Sequence, residues 1–252
     1  MVFHTMGLDI GPTVVLLHGA GLSAWAYRPI AERLADDYHI VLPVIDGYAE
    51  AADQPFESIE ASAQKLLDWI DAHQHGHVHA LGGLSLGAQI AVEALSRRPD
   101  VADYAWIESA LVRPMPLVAA LAAPMARMSY GLISREWFAR QQARALCVPD
   151  AMFPNYFRDS RKLSLQSLIR TLRSNASYRI PAGLAQCRAK TLVLAGMREP
   201  DALYRSAQLL CKTLPHSLLW LEEGKHGEFC LQQPEDYATV LSLHLNGSLM
   251  PD

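Results

Sequence analysis

Short apolar runs alternate with stretches of helical spacing along most of this chain, and that alternation narrows the fold more than any other feature. The runs "TVVLLHG" (13–19), "HIVLPVI" (39–45), "HVHALGGL" (77–84), "DYAWIES" (103–109), "KTLVLAG" (190–196) and "HSLLWLE" (216–222) read as strands. Near-continuous apolar character, rather than strict alternation, marks strands covered on both faces, as in a parallel sheet. Between them "AYRPIAERLADDY" (26–38), "SIEASAQKLLDWIDAH" (58–73), "LGAQIAVEALSRR" (86–98), "PDALYRSAQLLCKTL" (200–214) and a final "PEDYATVLSLHL" (234–245) read as helices. In the second of these, Ile59, Leu66, Leu67 and Ile70 share one face and Ser58 is placed to cap the N-terminus. Strand–helix alternation of this kind predicts an α/β chain with a doubly wound, mostly parallel sheet and helices on both faces.

The rhythm breaks once. Residues 113–181 are helical in pattern, rich in Met, Pro and aromatics, and contain no strand-like run. The expected organisation is therefore one core, 1–112 with 182–252, interrupted by a helical lid over 113–181. An insertion there would lie above the carboxyl ends of the strands, where such sheets bind ligands.

Composition excludes several function classes. The chain has 252 residues, half of them apolar, and a net charge of −4. Basic residues are scattered along the sequence, so no nucleic-acid footprint is expected. No apolar run approaches the ~18 residues of a membrane span, and the opening segment lacks the charged-then-apolar pattern of a secretory signal. Cys147, Cys187, Cys211 and Cys230 are widely spaced and form no C-x-x-C pair. They predict neither a zinc site nor a disulfide framework, and a reducing, cytoplasmic setting. No metal or other cofactor is expected. "HQHGHVH" (73–79) enters a predicted strand with no carboxylate nearby in sequence and reads as a solvated loop rather than a metal site.

Gly83-Leu84-Ser85-Leu86-Gly87 stands between a predicted strand and a predicted helix. A serine on such a sharp turn is lifted off the sheet at a helix N-terminus, where free N–H groups favour developing negative charge. The turn needs small residues two positions to either side, and Gly83 and Gly87 supply them. A serine hydroxyl needs a base to act as a nucleophile. His226 follows a strand in "EEGKHGEF" and precedes the last helix, which makes it the candidate base. His18, at the end of the first apolar run, is placed to orient loop backbone instead. The base needs an acid to hold its tautomer. Glu199, in the loop after "TLVLAG", is preferred. Glu108, at the end of "DYAWIES", and Asp201, placed in a first helical turn, remain open. The small residues of "HGAGLSAW" allow an oxyanion hole from the N–H groups of Ala20 and Leu86.

Taken in order, "LLHGAG" (16–21), "GGLSLGAQ" (82–89), "LVLAGMRE" (192–199) and "GKHGE" (224–228) resemble the α/β-hydrolase superfamily over nearly the whole length. Within it, the chain looks like small, lidded, cofactor-free bacterial serine hydrolases. "HGAGLSAWAY" is similar to the corresponding loop of pimeloyl-acyl-carrier-protein methyl ester esterases, where a bulky residue replaces Ala20. The chain departs from the family in three places. "VIDGYAE" (44–50) lacks the usual Pro-Gly turn, the triad acid is Glu where Asp is commoner, and the N-terminus has room for one strand rather than two. The last point predicts about seven strands.

The resemblance implies hydrolysis of a carboxylic ester or thioester through an acyl-enzyme. An acyltransferase with the same triad and a non-catalytic binding protein on the same fold are the alternatives. Trp137, Phe138, Phe153 and Tyr156 are the candidate pocket residues of the lid. Arg113, Arg127, Arg135 and Arg140 read first as a solvated face. The expected partner is a small, largely apolar ester or thioester.

Overall fold

The computed structural model describes residues 1–223 and 229–250. Its strands are β1 (Val2–Gly7), β2 (Thr13–Leu17), β3 (His39–Val44), β4 (Val78–Leu84), β5 (Ala102–Glu108), β6 (Lys190–Gly196) and β7 (Ser217–Glu222). They form one seven-stranded sheet in the order β1-β3-β2-β4-β5-β6-β7. Every pair is parallel except β1 with β3. The fold and strand number expected from the sequence are those observed, and the six strands read from apolar runs each fall within two residues of the expected bounds.

The helices are α1 (Arg28–Leu34), α2 (Ile59–Gln74), α3 (Leu86–Arg97), α4 (Pro116–Tyr130), α5 (Glu136–Ala145), α6 (Phe153–Ser160), α7 (Leu165–Ser177), α8 (Asp201–Thr213), α9 (Phe229–Gln232) and α10 (Pro234–Leu245). Two apolar cores lie on opposite faces of the sheet. Val15 and Leu17 of β2 point to one, with Ile59 and Leu66 of α2, Ile90 of α3 and Leu210 of α8. Val14 and Leu16 point to the other, with Ile30 of α1 and Leu241 of α10. Period-two side-chain alternation in a strand covered by helices on both sides produces this division. Ser58 caps α2 by accepting the Ala61 N–H at 3.1 Å, and Pro234 opens α10.

Helices α4 to α7 all fall between β5 and β6. Polar residues of α3 tie this insertion to the core. Gln89 is fully buried; its amide donates to the Leu111 carbonyl at 2.6 Å and accepts from Asn175 at 3.1 Å. Glu93 accepts from the Tyr178 hydroxyl and from Arg97. The polar stripe on an otherwise apolar helix is thus an anchor, and each of these buried polar groups finds a partner.

Candidate active site

Ser85 leaves β4 with φ 52° and ψ −109° and begins α3 as its N-cap. Such a backbone costs a non-glycine residue ~1–3 kcal/mol and persists only where its surroundings enforce it. The Ser85 N–H donates to the Glu108 carbonyl at 2.8 Å, and its own carbonyl accepts from Gln89 N at 3.0 Å. Both neighbouring glycines are dictated by close approach. A Cβ on Gly83 would stand 2.4 Å from the Leu17 carbonyl oxygen, and one on Gly87 2.2 Å from the same atom. The serine therefore stands clear of the sheet edge and lines a cavity of about 200 Å³.

Leu86 is the first residue of α3, and a helix leaves its first amides without an intrahelical partner. Ala20 lines the same cavity from the loop after β2. His18 holds that loop. Its Nε2 accepts the Ile45 N–H at 3.1 Å, so Nδ1 carries the proton and donates it to the Gly19 carbonyl at 2.9 Å. Burial drives its pKa down to about 4, which keeps the ring neutral and this tautomer in place at neutral pH.

The three carboxylates weighed from the sequence separate clearly. Glu199 is buried and lines the cavity with Ser85. One of its oxygens accepts a hydrogen bond from the Ser109 hydroxyl. Ser109 directly follows β5 with φ 54°, and its N–H donates to Leu194 O at 3.0 Å. Glu108 is fully buried, and its carboxyl faces the Tyr237 hydroxyl and Cys230. Burial pushes its pKa up to about 8, the Tyr237 hydroxyl opposing and the Glu199 charge adding to the rise, which favours its neutral form over the anion that would stabilise an imidazolium. Asp201 is the first residue of α8 and is exposed in an ion pair with Arg205 at 2.7 Å. His226 lies outside the described residues.

A second, more apolar cavity of about 280 Å³ adjoins the first, and Ala20, Leu22, Ala145 and Leu146 belong to both walls. Ile133, Leu163, Leu168 and Leu172 of the insertion line it, together with Tyr48, Gln142, Tyr156, Asp159 and Thr171. The Tyr48 hydroxyl donates to Thr171 at 3.0 Å. Asp159 accepts from Trp25 Nε1 at 3.0 Å and from Arg158, which joins α6 to the loop after β2.

Of the four lid aromatics named from the sequence, Tyr156 lines this cavity. Trp137, Phe138 and Phe153 are not in its wall. Helix α5 turns Ala139 and Ala143 inward, which leaves Trp137 exposed. Phe153 is buried beneath the Arg140 guanidinium, 4.1 Å from its ring centre. Ser109 and Tyr48 escaped sequence reasoning. The first is a left-handed serine with no glycine to mark it, and the second sits in the segment lacking the family's Pro-Gly turn.

The model of the alpha/beta hydrolase family matches residues 14–240. The chain belongs to this family. The pimeloyl-[acyl-carrier protein] methyl ester esterase of Chromobacterium violaceum is 25% identical to this hydrolase, covering 94% of this chain and 96% of that one. The enzyme of the same name from Vibrio vulnificus is 34% identical over 93 residues, 36% of this chain and 33% of that one. Among solved structures, an esterase from Exiguobacterium antarcticum superposes with TM-score 0.80 at 15% identity, covering 97% of this chain and 95% of the other. The enol-lactonase from Burkholderia xenovorans LB400 does so with TM-score 0.80 at 13% identity, covering 97% and 96%. These structural likenesses establish a shared fold for this hydrolase.

Proposed function

We propose that this hydrolase is a serine esterase that cleaves a small, largely apolar carboxylic ester or thioester through an acyl-enzyme. The observation that carries the reading is the strained Ser85 turn, opening into one cavity with a buried Glu199 and continuing into an apolar chamber. The full-length likeness to an enzyme named as a methyl ester esterase supports an ester rather than an amide.

In this mechanism Ser85 attacks the ester carbonyl while His226 takes its proton. The resulting oxyanion is stabilised by the N–H groups of Ala20 and Leu86, and Glu199 holds the imidazolium. Collapse breaks the acyl–oxygen (or acyl–sulfur) bond, and the leaving group departs with the proton from His226. Water, deprotonated by His226, then releases the acid and restores Ser85. Residues 113–181 serve as the lid, and their apolar chamber takes the acyl chain.

The test is rapid mixing with p-nitrophenyl butyrate. A burst of nitrophenol stoichiometric with enzyme, together with a butyryl adduct mapped to Ser85 by mass spectrometry, is the expected result. Turnover without an adduct, or an adduct elsewhere, would sink the assignment. Release of the adduct only on addition of an alcohol or thiol acceptor would identify an acyltransferase.

A further inference from the structure

Helix α4 is built inside out. Its buried residues are the small Ala122, Ala123 and Ala126. Its large apolar side chains, Leu117, Val118, Leu121, Met125 and Met128, are exposed, Leu117 at 73% and Met128 at 83%. At 100° per residue these five fall in one arc opposite the alanines. A helix apolar on both faces is ordinarily buried. Here α7 packs alongside α4 and exposes its own Leu172.

Charge distinguishes this surface from the rest of the molecule. Neither α4 nor α7 contains an Asp or Glu, and together they carry Arg127, Arg170 and Arg173. Residues 113–181 hold eleven Lys or Arg against three Asp or Glu, a net of +8, in a chain whose total is −4. The remainder of the chain therefore carries −12.

We propose that the α4 face docks on an anionic lipid surface, with the apolar arc entering the acyl boundary and Arg127 and Arg173 facing the headgroup phosphates. Amphipathic helices bind bilayers through the sum of buried apolar area and attraction to anionic lipid. Two-fold pairing with a second copy would set these arginines against their own likenesses. An acidic protein would answer the charge, whereas a bilayer answers both the charge and five exposed large apolar side chains. Leu172, on the neighbouring α7, lines the wall of the apolar chamber. Docking would thus set that wall beside a phase that concentrates apolar esters, a consequence that rests on the esterase reading although the docking does not.

The experiment is co-sedimentation with vesicles of phosphatidylcholine alone and of phosphatidylcholine mixed with phosphatidylglycerol, at low and high salt. Wild type is expected on the mixed vesicles, at least about tenfold weaker on the neutral ones, and weaker at high salt. The double variant L121E/M125E should bind roughly a hundredfold more weakly while keeping its melting temperature and its hydrolysis of soluble p-nitrophenyl acetate. R127E/R173E should lose the preference for anionic lipid. Ser85→Ala should sediment like wild type, which separates this proposal from the esterase reading. Failure of wild type to bind mixed vesicles overturns the proposal, as does undiminished binding by L121E/M125E. A dimer that the same variant dissolves, without vesicle binding, assigns the face to a second copy and overturns it too.

Discussion

Around Ser85 the backbone leaves no slack, whereas in the insertion between β5 and β6 side chains set the shape. Gly83 and Gly87 each approach the Leu17 carbonyl too closely for a Cβ, and the serine is held left-handed between them. The chamber under α5 and α7 is instead walled by Leu, Ile and Tyr side chains from several elements, which change size without disturbing a strand. The difference teaches where chemistry and selectivity reside. Attack geometry needs positions held within fractions of an ångström, which a sheet edge provides. A chain-length preference needs only volume, and an apolar pocket discriminates by ~1–3 kcal/mol per methylene.

The most severe test of this contrast removes the proposed nucleophile. Ser85→Ala should keep the fold and lower ester turnover by ~10⁴ to 10⁶, read by p-nitrophenyl ester assay beside circular dichroism. A loss of only a few fold would move the chemistry elsewhere.

Next comes the pair of carboxyls at the ends of β5 and just beyond β6. Glu199→Gln should lower kcat by roughly 10² to 10⁴, and Glu108→Gln by less than about tenfold. If the two results exchange places, the charged partner of His226 is Glu108 despite its raised pKa.

A smaller effect is expected in the chamber. Leu168→Trp should shift the optimum to shorter acyl chains, changing the ratio of kcat/KM for butyrate and octanoate esters by roughly tenfold. The acetate rate should hardly move. An equal fall for every chain length would mean that this wall is not where the acyl group lies.

The last prediction concerns stability rather than rate. The Glu108 pKa is raised by burial from 4.5 to about 8, so the native state holds a proton that the unfolded chain releases. The resulting stabilisation is fully present below pH 4.5, declines as pH rises, and is gone above pH 8. Across that window each step of one in pH removes about 1.4 kcal/mol at most. Urea unfolding of Glu108→Gln between pH 5 and 9 should therefore show a flatter profile than wild type. Parallel profiles would mean that Glu108 is ionised in the native state.

The layout of the fold and the position of Ser85 were legible because both rest on local chemistry. Continuous apolar runs declare strands buried on both faces, and the glycine spacing around Ser85 answers backbone contacts that admit no side chain. Glu199 was legible as the preferred acid from its loop, with Glu108 and Asp201 left open, since each ends or follows a strand. Their distinction is a matter of surroundings. Glu199 meets the Ser109 hydroxyl at the cavity wall, while Glu108 is fully buried beside Tyr237 and Cys230. The chamber was the least legible part. Trp137 has the composition of a pocket residue, yet the inward face of α5 belongs to Ala139 and Ala143. Which face of a short amphipathic helix turns inward depends on what it packs against, and Tyr48, Leu168 and Thr171 meet only because elements more than a hundred residues apart close on one another. Sequence alone therefore determined the sheet, the turn and the kinds of group available for chemistry. Tertiary structure decided how each carboxyl is surrounded and which side chains enclose the chamber, because burial and long-range contact, not local pattern, set both.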